Sequence, residues 1–285
     1  MKKNAITFIC LLILTIGNIS CRKKIKINEE KIYSRHLQTY IPLTIISTPL
    51  NDDKKNIHLL LINDGQDIDQ LRLKETIDSM NKKELLQPVL IVAIHALDRL
   101  NTYGVADKQD YQQHGAKAEK YAAFVDDELY PYIKKKTGIR SFKTVTIAGC
   151  SLGGLSAFDI AWNHADKIDK VGVFSGSFWW RDKDATLPDY KDSVDRIVHK
   201  MVQTSRKKPH LKYWLYAGLQ EEIADRDKDG IIDVVDDTKD LIKIIQAKKV
   251  CPLTDIQFTE ATTGTHDYVS WSKALPAFIL WAVGK

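Results

Sequence analysis

No stretch of this 285-residue chain carries the roughly 20 consecutive apolar residues that a membrane-spanning helix needs, so no crossing of a bilayer is expected. Cysteine is scarce as well. Of four, Cys10 and Cys21 lie near the N-terminus, while Cys150 and Cys251 are too few for a disulfide scaffold and show no CxxC or Cys/His spacing for zinc. A dominant charge is also missing: 42 basic against 37 acidic side chains leave a formal +5, and no aromatic residues interleave a basic stripe. That excludes a nucleic-acid partner on charge grounds. Solubility accounts for the balance, with a slight lean toward an anionic substrate. Repeats and Pro/Gly-rich linkers are absent too, so nothing divides the chain beyond its N-terminal segment. What remains is 44% hydrophobic and 28% charged, the composition of a globular domain long enough to need no staple.

Lys2 and Lys3, an apolar run over 5–16, and then Gly17, Asn18, Ile19 and Ser20 form an export signal, expected as residues 1–20. Cys21 follows a small residue and resembles the lipidated cysteine of bacterial lipoproteins, although Asn18 stands where such signals usually have Leu. The same small residues suit a plain cleaved signal peptide. Either way the working compartment lies outside the cytoplasm, with the membrane touched only through the anchor. Residues 21–30 are polar and charged and are expected to be a tether, leaving 31–285 as one folded domain.

Strands are expected at 37–48, 57–62, 88–94, 144–147, 170–174, 212–216 and 255–259. Helices are expected at 118–136, just after Ser151, at 234–249 and from Ser272 onward. Tyr121, Val125 and Leu129 share one face of the first, Gly138 stops it, and Pro131 should kink it. Continuous apolar strands alternating with helices predict an α/β domain, a mostly parallel sheet with helices on both faces. Ligands in such domains sit beyond the carboxyl ends of the strands.

At one such end, Ala148-Gly149-Cys150-Ser151-Leu152-Gly153-Gly154 leads from a strand into a helix, which is GxSxG in its strand–turn–helix setting. A serine lifted clear of the sheet there is a candidate nucleophile, and the Leu152 N–H at the helix start is a candidate oxyanion donor. The bland alternative is a tight turn in which Ser151 caps the helix. A nucleophilic serine needs a base, and of eight histidines only His164, His199, His210 and His266 follow it. His164 ends the nucleophile's own helix, too far to reach it, and His199 and His210 flank a basic surface stretch. His266, after the last expected strand, is the candidate base. The acid should follow the strand at 212–216, where Glu221 and Glu222 are both available. Adjacent residues point different ways, so only one can face the base; Glu221 is the first choice and Glu222 the second.

Asp225, Asp227, Asp229, Gly230, Asp233 and Asp236 match a calcium loop at its first, third, fifth, sixth, ninth and twelfth positions. Asp at the twelfth position, and a strand where an EF-hand has a helix, favour instead an acidic loop capping the helix near Val234. Asp225, Asp227, Asp229 and Asp233 stay as Ca2+ candidates, with no cofactor required. Earlier in the chain, Asn63-Asp64-Gly65-Gln66-Asp67 follows a strand, and the Gln66 N–H is the second candidate oxyanion donor.

Together these residues resemble the putative-esterase family of α/β hydrolases, which includes enterochelin, feruloyl and acetylxylan esterases, S-formylglutathione hydrolases and mycolyltransferases. Its markers run from Asn63-Asp64-Gly65-Gln66-Asp67, through Arg99 with Tyr103-Gly104-Val105 and Phe124 with Glu128-Leu129 and Pro131, to Gly149-Cys150-Ser151-Leu152-Gly153-Gly154. Ser175-Gly176-Ser177 with Trp179-Trp180, and His266-Asp267 with Trp271, complete them. The resemblance implies an α/β-hydrolase fold in which Ser151 attacks an ester carbonyl, His266 relays the proton, and a Glu near 221 orients it. Trp179, Trp180 and Trp271 lie close in sequence to strand ends and are candidate substrate-binding faces for a sugar, feruloyl or catecholate group, or else core. The function expected is a serine carboxylesterase acting on a plant polysaccharide ester or catecholate siderophore. The alternatives are an acyltransferase with the same triad and a non-catalytic glycan- or siderophore-binding lipoprotein.

Overall fold

A computed structural model describes residues 24–285; the expected export signal at 1–20 and Cys21 lie outside them. Eight strands form one sheet: β1 Lys26–Ser34, β2 Thr39–Ser47, β3 His58–Asn63, β4 Val89–Ile94, β5 Val145–Cys150, β6 Lys170–Phe174, β7 Lys212–Gly218 and β8 Ile256–Ala261. Their order is β1-β2-β4-β3-β5-β6-β7-β8. β2 runs antiparallel to β1 and to β4, and β4 through β8 are mutually parallel along the sheet. β3, β4 and β5 are buried at every position, as strands covered on both faces must be.

Alternate residues of each strand feed two separate cores. Leu59 and Leu61 of β3 pack with the helix Leu152–Asn163, while Leu60 and Ile62 pack with the helices Leu73–Lys82 and Tyr268–Val283. The order reverses at β3, since the chain passes from β3 to β4 on one side and to β5 on the other. A crevice therefore opens beyond the carboxyl ends of β3 and β5, and the two loops richest in motif residues meet there.

One expectation changes. Residues from Lys26 onward are a strand rather than a tether: β1 pairs with β2 from Lys26↔Ser47 to Ser34↔Thr39. Most of it is exposed, so its backbone bonds the sheet while its side chains stay polar, and no apolar alternation marks it. At Pro131, where a kink is expected, the helix changes its winding. The turn before the proline, Phe124–Leu129, widens to a π-helical pattern between Ala118–Ala123 and Tyr130–Thr137, which accommodates the missing proline N–H without ending the helix.

Candidate active site

Ser151 follows the last residue of β5 and sits at φ 54°, ψ −123°, a conformation that a side-chain-bearing residue adopts only under constraint. The neighbouring glycines explain how it is held. A Cβ on Gly149 would lie 2.4 Å from the backbone of Gly153, and one on Gly153 would lie 2.5 Å from the Asp64 carboxylate. Only hydrogen fits at these positions, so strand and helix close around the serine. Ser151 Oγ rests 3.3 Å from Ser177 Oγ.

The loop after β3 is bolted to this turn. Asn63 Nδ2 donates to the Gly153 carbonyl at 2.7 Å, and Tyr121 Oη donates to Asn63 Oδ1 at 2.6 Å. Asp64, at φ 61°, donates its N–H to Tyr103 Oη. Arg99 grips the Asp64 carboxylate through Nε and Nη2, and the same Nη2 donates to the Cys150 carbonyl beside the serine. Burial pushes the Asp64 carboxyl up, against the opposing pull of Arg99. Both candidate oxyanion amides, Leu152 N–H and Gln66 N–H, are free of hydrogen-bond acceptors among the described residues. The Gln66 side chain is spent on its own loop, donating to Asp64 and Asp67 and accepting from the Ala96 N–H.

His266 Nδ1 lies 2.8 Å from Glu221 Oε2. The other oxygen of Glu221 accepts from Ser175 Oγ and from the Gly218 N–H, both at 2.5 Å, and its side chain is 1% exposed. Trp271 Nε1 donates to Ser175 Oγ at 2.8 Å, and its ring meets the His266 ring edge-on with centroids 5.1 Å apart. The base is thus pinned on two sides. Glu222 does something else: its Oε1 accepts the Val234 N–H at the start of the helix Asp233–Ala247. Of the two carboxylates, Glu221 faces the base and Glu222 caps a helix.

Ser151, Leu152, Glu221 and His266 border one cavity of about 530 Å³, together with Arg99, His114 and Trp179. A profile of the family described as Putative esterase matches residues 34–282. The chain belongs to that family. It is 21% identical over 168 residues to the uncharacterized protein YbbA of Bacillus subtilis (strain 168), a match covering 56% of this chain and 64% of that protein. The enterobactin esterase FES from Shigella flexneri superposes with a TM-score of 0.66 at 19% identity, over 90% of this chain and 59% of that chain. The siderophore hydrolase EstA from Aspergillus nidulans gives a TM-score of 0.64 at 16% identity, over 90% and 93%. The chain thus spans about three fifths of the Shigella and Bacillus proteins. At these identities the likeness establishes the architecture, an α/β-hydrolase fold with a mostly parallel sheet.

Within this esterase-family fold several expected site residues fall elsewhere. Gln66 and Trp271 do not border the cavity. Trp271 is 4% exposed and braces His266 from below, and Trp180, at 0%, packs its ring over Gly104 and Gly115 and donates Nε1–H to the Lys108 carbonyl. Trp271 stays outside the cavity, whereas Trp180 borders it beside the half-buried Trp179, with most of its ring packed. The acidic loop is only partly assembled as the calcium pattern would require. Carboxylate oxygens of Asp225, Asp227 and Asp229 lie within 4.8 Å of one another, but Asp233 turns to Arg226 at 2.7 Å. The converging carboxylates accept the loop's own Asp229, Gly230 and Ile231 N–H groups. Asn63, Arg99 and Ser175 are the residues that sequence reasoning left without a role. Each stands in a motif segment, but its partner is distant in the chain.

Proposed function

We propose that this protein is a serine carboxylesterase that hydrolyses an ester outside the cytoplasm through an acyl-enzyme on Ser151. The observation that carries this reading is the 2.8 Å contact of His266 Nδ1 with Glu221 Oε2 beside a cavity that Ser151 also borders. With its Nδ1 proton held by Glu221, the neutral imidazole presents an unprotonated Nε2. Ser151 Oγ exchanges its Ser177 partner for that nitrogen, gives up its proton and attacks the ester carbonyl carbon. The carbonyl electron pair moves onto oxygen, which the Leu152 N–H bordering the cavity receives. The imidazolium then protonates the leaving alkoxide, the alcohol departs and the acyl group stays on Oγ. Water repeats the sequence, losing a proton to Nε2, and the acid is released with Ser151 restored. Every step uses a group of the chain or water, and no cofactor takes part.

An aromatic acyl group, feruloyl or catecholate, suits the cavity best. The Trp179 face can stack on a ring, and Arg99, Gln112 and His114 offer polar contacts along the same wall. The names of structural neighbours, among them a ferulic acid esterase at 17% identity and a TM-score of 0.66 over 91% of this chain and 98% of that one, are consistent with this class. Export rests on residues 1–20 and lipid attachment on Cys21; loss of palmitate incorporation in Cys21→Ser tests the latter.

A fluorophosphonate should label the wild type once and Ser151→Ala not at all. An unlabelled wild type overturns the nucleophile. A panel of feruloyl, catecholate and acetylxylan esters should then rank the two aromatic esters above acetyl by about tenfold in kcat/KM, the contribution of one stacked ring.

A further inference from the structure

A group of cations lines the end of the sheet away from the cavity. There, where the parallel strands begin, a depression of about 950 Å³ is lined by Lys143, Lys170, Lys212 and Lys249 with His58 and His210, against Asp169 and Asp255. A second of about 490 Å³, sharing Lys143, adds Lys54, Lys55 and Arg140 against Asp53. Part of this charge is spent locally. Lys170 Nζ donates to the Trp281 and Ala282 carbonyls, and Lys212 lies 3.5 Å from Asp255. Among the described residues, Lys55, Arg140, Lys143 and Lys249 have no carboxylate partner. The catalytic end is the reverse. The guanidinium at its cavity, Arg99, is held by Asp64, and Glu221, Glu222, Asp225, Asp227 and Asp229 crowd the loop after β7.

The chain enters the fold at the basic end. β1 is antiparallel to β2, which is antiparallel to β4, so Lys26 is level with Ser47 and, through it, with Leu90 near the start of β4. Lys24 and Lys26 add charge there. An anchor at Cys21 would leave a tether of only a few residues, at about 3.3 Å each, too short to bring the far ends of the strands to the same surface.

We infer that this lysine-rich end docks on an anionic phospholipid bilayer, with the catalytic mouth turned away from it. Clusters of four to eight basic residues beside a membrane attachment point bind anionic headgroups in this way. The depressions give the headgroup phosphates places to meet Lys55, Arg140, Lys249 and Lys143, whose Nζ donates only to the neutral Gln87 Oε1 at 2.9 Å. The inference is independent of the esterase reading, since none of these side chains touches the cavity. It also revises the slight lean toward an anionic substrate: the surplus positive charge lies at the wrong end to attract one.

The test compares partition of the full chain onto vesicles of phosphatidylcholine alone and of equal parts phosphatidylcholine and phosphatidylglycerol. Lys2, Lys3, Arg22 and Lys23 flank the apolar N-terminal run and themselves add to a preference for phosphatidylglycerol, so the readout is the ratio between the two vesicles and its change on substitution. The ratio should be at least about tenfold at low salt and fall as salt is added. Lys143→Glu/Lys249→Glu should abolish most of it, while Lys183→Glu/Lys228→Glu, in the loops after β6 and β7, should leave it unchanged. If the first pair fails to fold, judged by loss of hydrolysis of a soluble aryl ester, Lys143→Gln/Lys249→Gln should still reduce the ratio. A ratio near one in the wild type, or one that survives both lysine pairs, overturns the proposal. So does abolition of the preference by millimolar inorganic phosphate, which would mark a site for a soluble anion. For orientation, phosphatidylglycerol vesicles should leave hydrolysis of a soluble ester undiminished; marked inhibition would mean that the mouth faces the lipid.

Discussion

Around Ser151 the chain is held by backbone pressed on backbone, whereas Glu221 is held by three hydrogen bonds that converge on one carboxylate. The first restraint is steric and has no intermediate state, because at 2.4 Å a methyl group in place of a glycine hydrogen cannot be absorbed by rotating a side chain. The second is a set of separable bonds, each of which can be lost while the others persist. Ser151 and Glu221, the proposed nucleophile and acid, thus stand on one cavity with different tolerance to change. The serine side should fail abruptly, and the acid side by degrees.

The sharpest break is Gly149→Ala. Its Cβ would enter the Gly153 backbone, so the variant should lose about 4 kcal/mol of stability in urea unfolding and nearly all activity. A variant that folds and turns over normally would show that the turn can relax, and the contrast would vanish. On the acid side, Glu221→Gln should lower kcat by about 10³-fold or more, because Gln offers His266 no charge and lets it turn to the wrong tautomer. Glu222→Gln should leave kcat within about threefold and cost about 1 kcal/mol, the loss of a helix cap. Equal rates in the two variants would remove Glu221 from its role. A smaller step is Ser175→Ala. It deletes one of three bonds to the acid and the partner of Trp271 Nε1, and kcat should fall about tenfold with KM little changed. Ser175→Thr, which keeps a hydroxyl, should recover part of the loss.

The same contrast explains what could be read from the sequence. The serine turn is legible because its constraint is local: glycines two before and two after one residue, between a strand and a helix. His266 is legible from chain order. The choice between Glu221 and Glu222 is not, since it depends on whether a side chain reaches Ser175 and the Gly218 N–H or the Val234 N–H. Trp271, unlike Trp179 and Trp180, does not border the cavity, because nearness to a strand end does not say which way a ring points. β1 is hidden for another reason. An edge strand bonds through its backbone, and the run from Lys26 to Lys31 buries too little to show a period of two. The central strands, buried at every position and mostly apolar, carry their burial in their composition.

A last effect, visible only as the pH changes, concerns the support beneath the loop that carries Glu221. Arg226, from that loop, pairs with Asp192, Asp233 and the buried Asp237, and Arg196 donates to the same Asp237 Oδ1 at 2.6 Å. His199 lies 2.8 Å, through Nε2, from the Asp237 carbonyl, and its Nδ1 is buried without a partner. Burial first, and the nearby Arg196 charge second, lower its pKa to about 3. The folded protein therefore keeps this ring neutral, whereas the unfolded chain protonates it near 6.5. Its contribution is fully present above that value and is lost as the pH falls, by about 2 kcal/mol at pH 5. His199→Gln can still donate to the Asp237 carbonyl but cannot take up a proton. Its deficit in urea unfolding relative to the wild type at pH 8 should therefore shrink by about 2 kcal/mol at pH 5, and a deficit constant across that range would show that the ring is not buried as a neutral group.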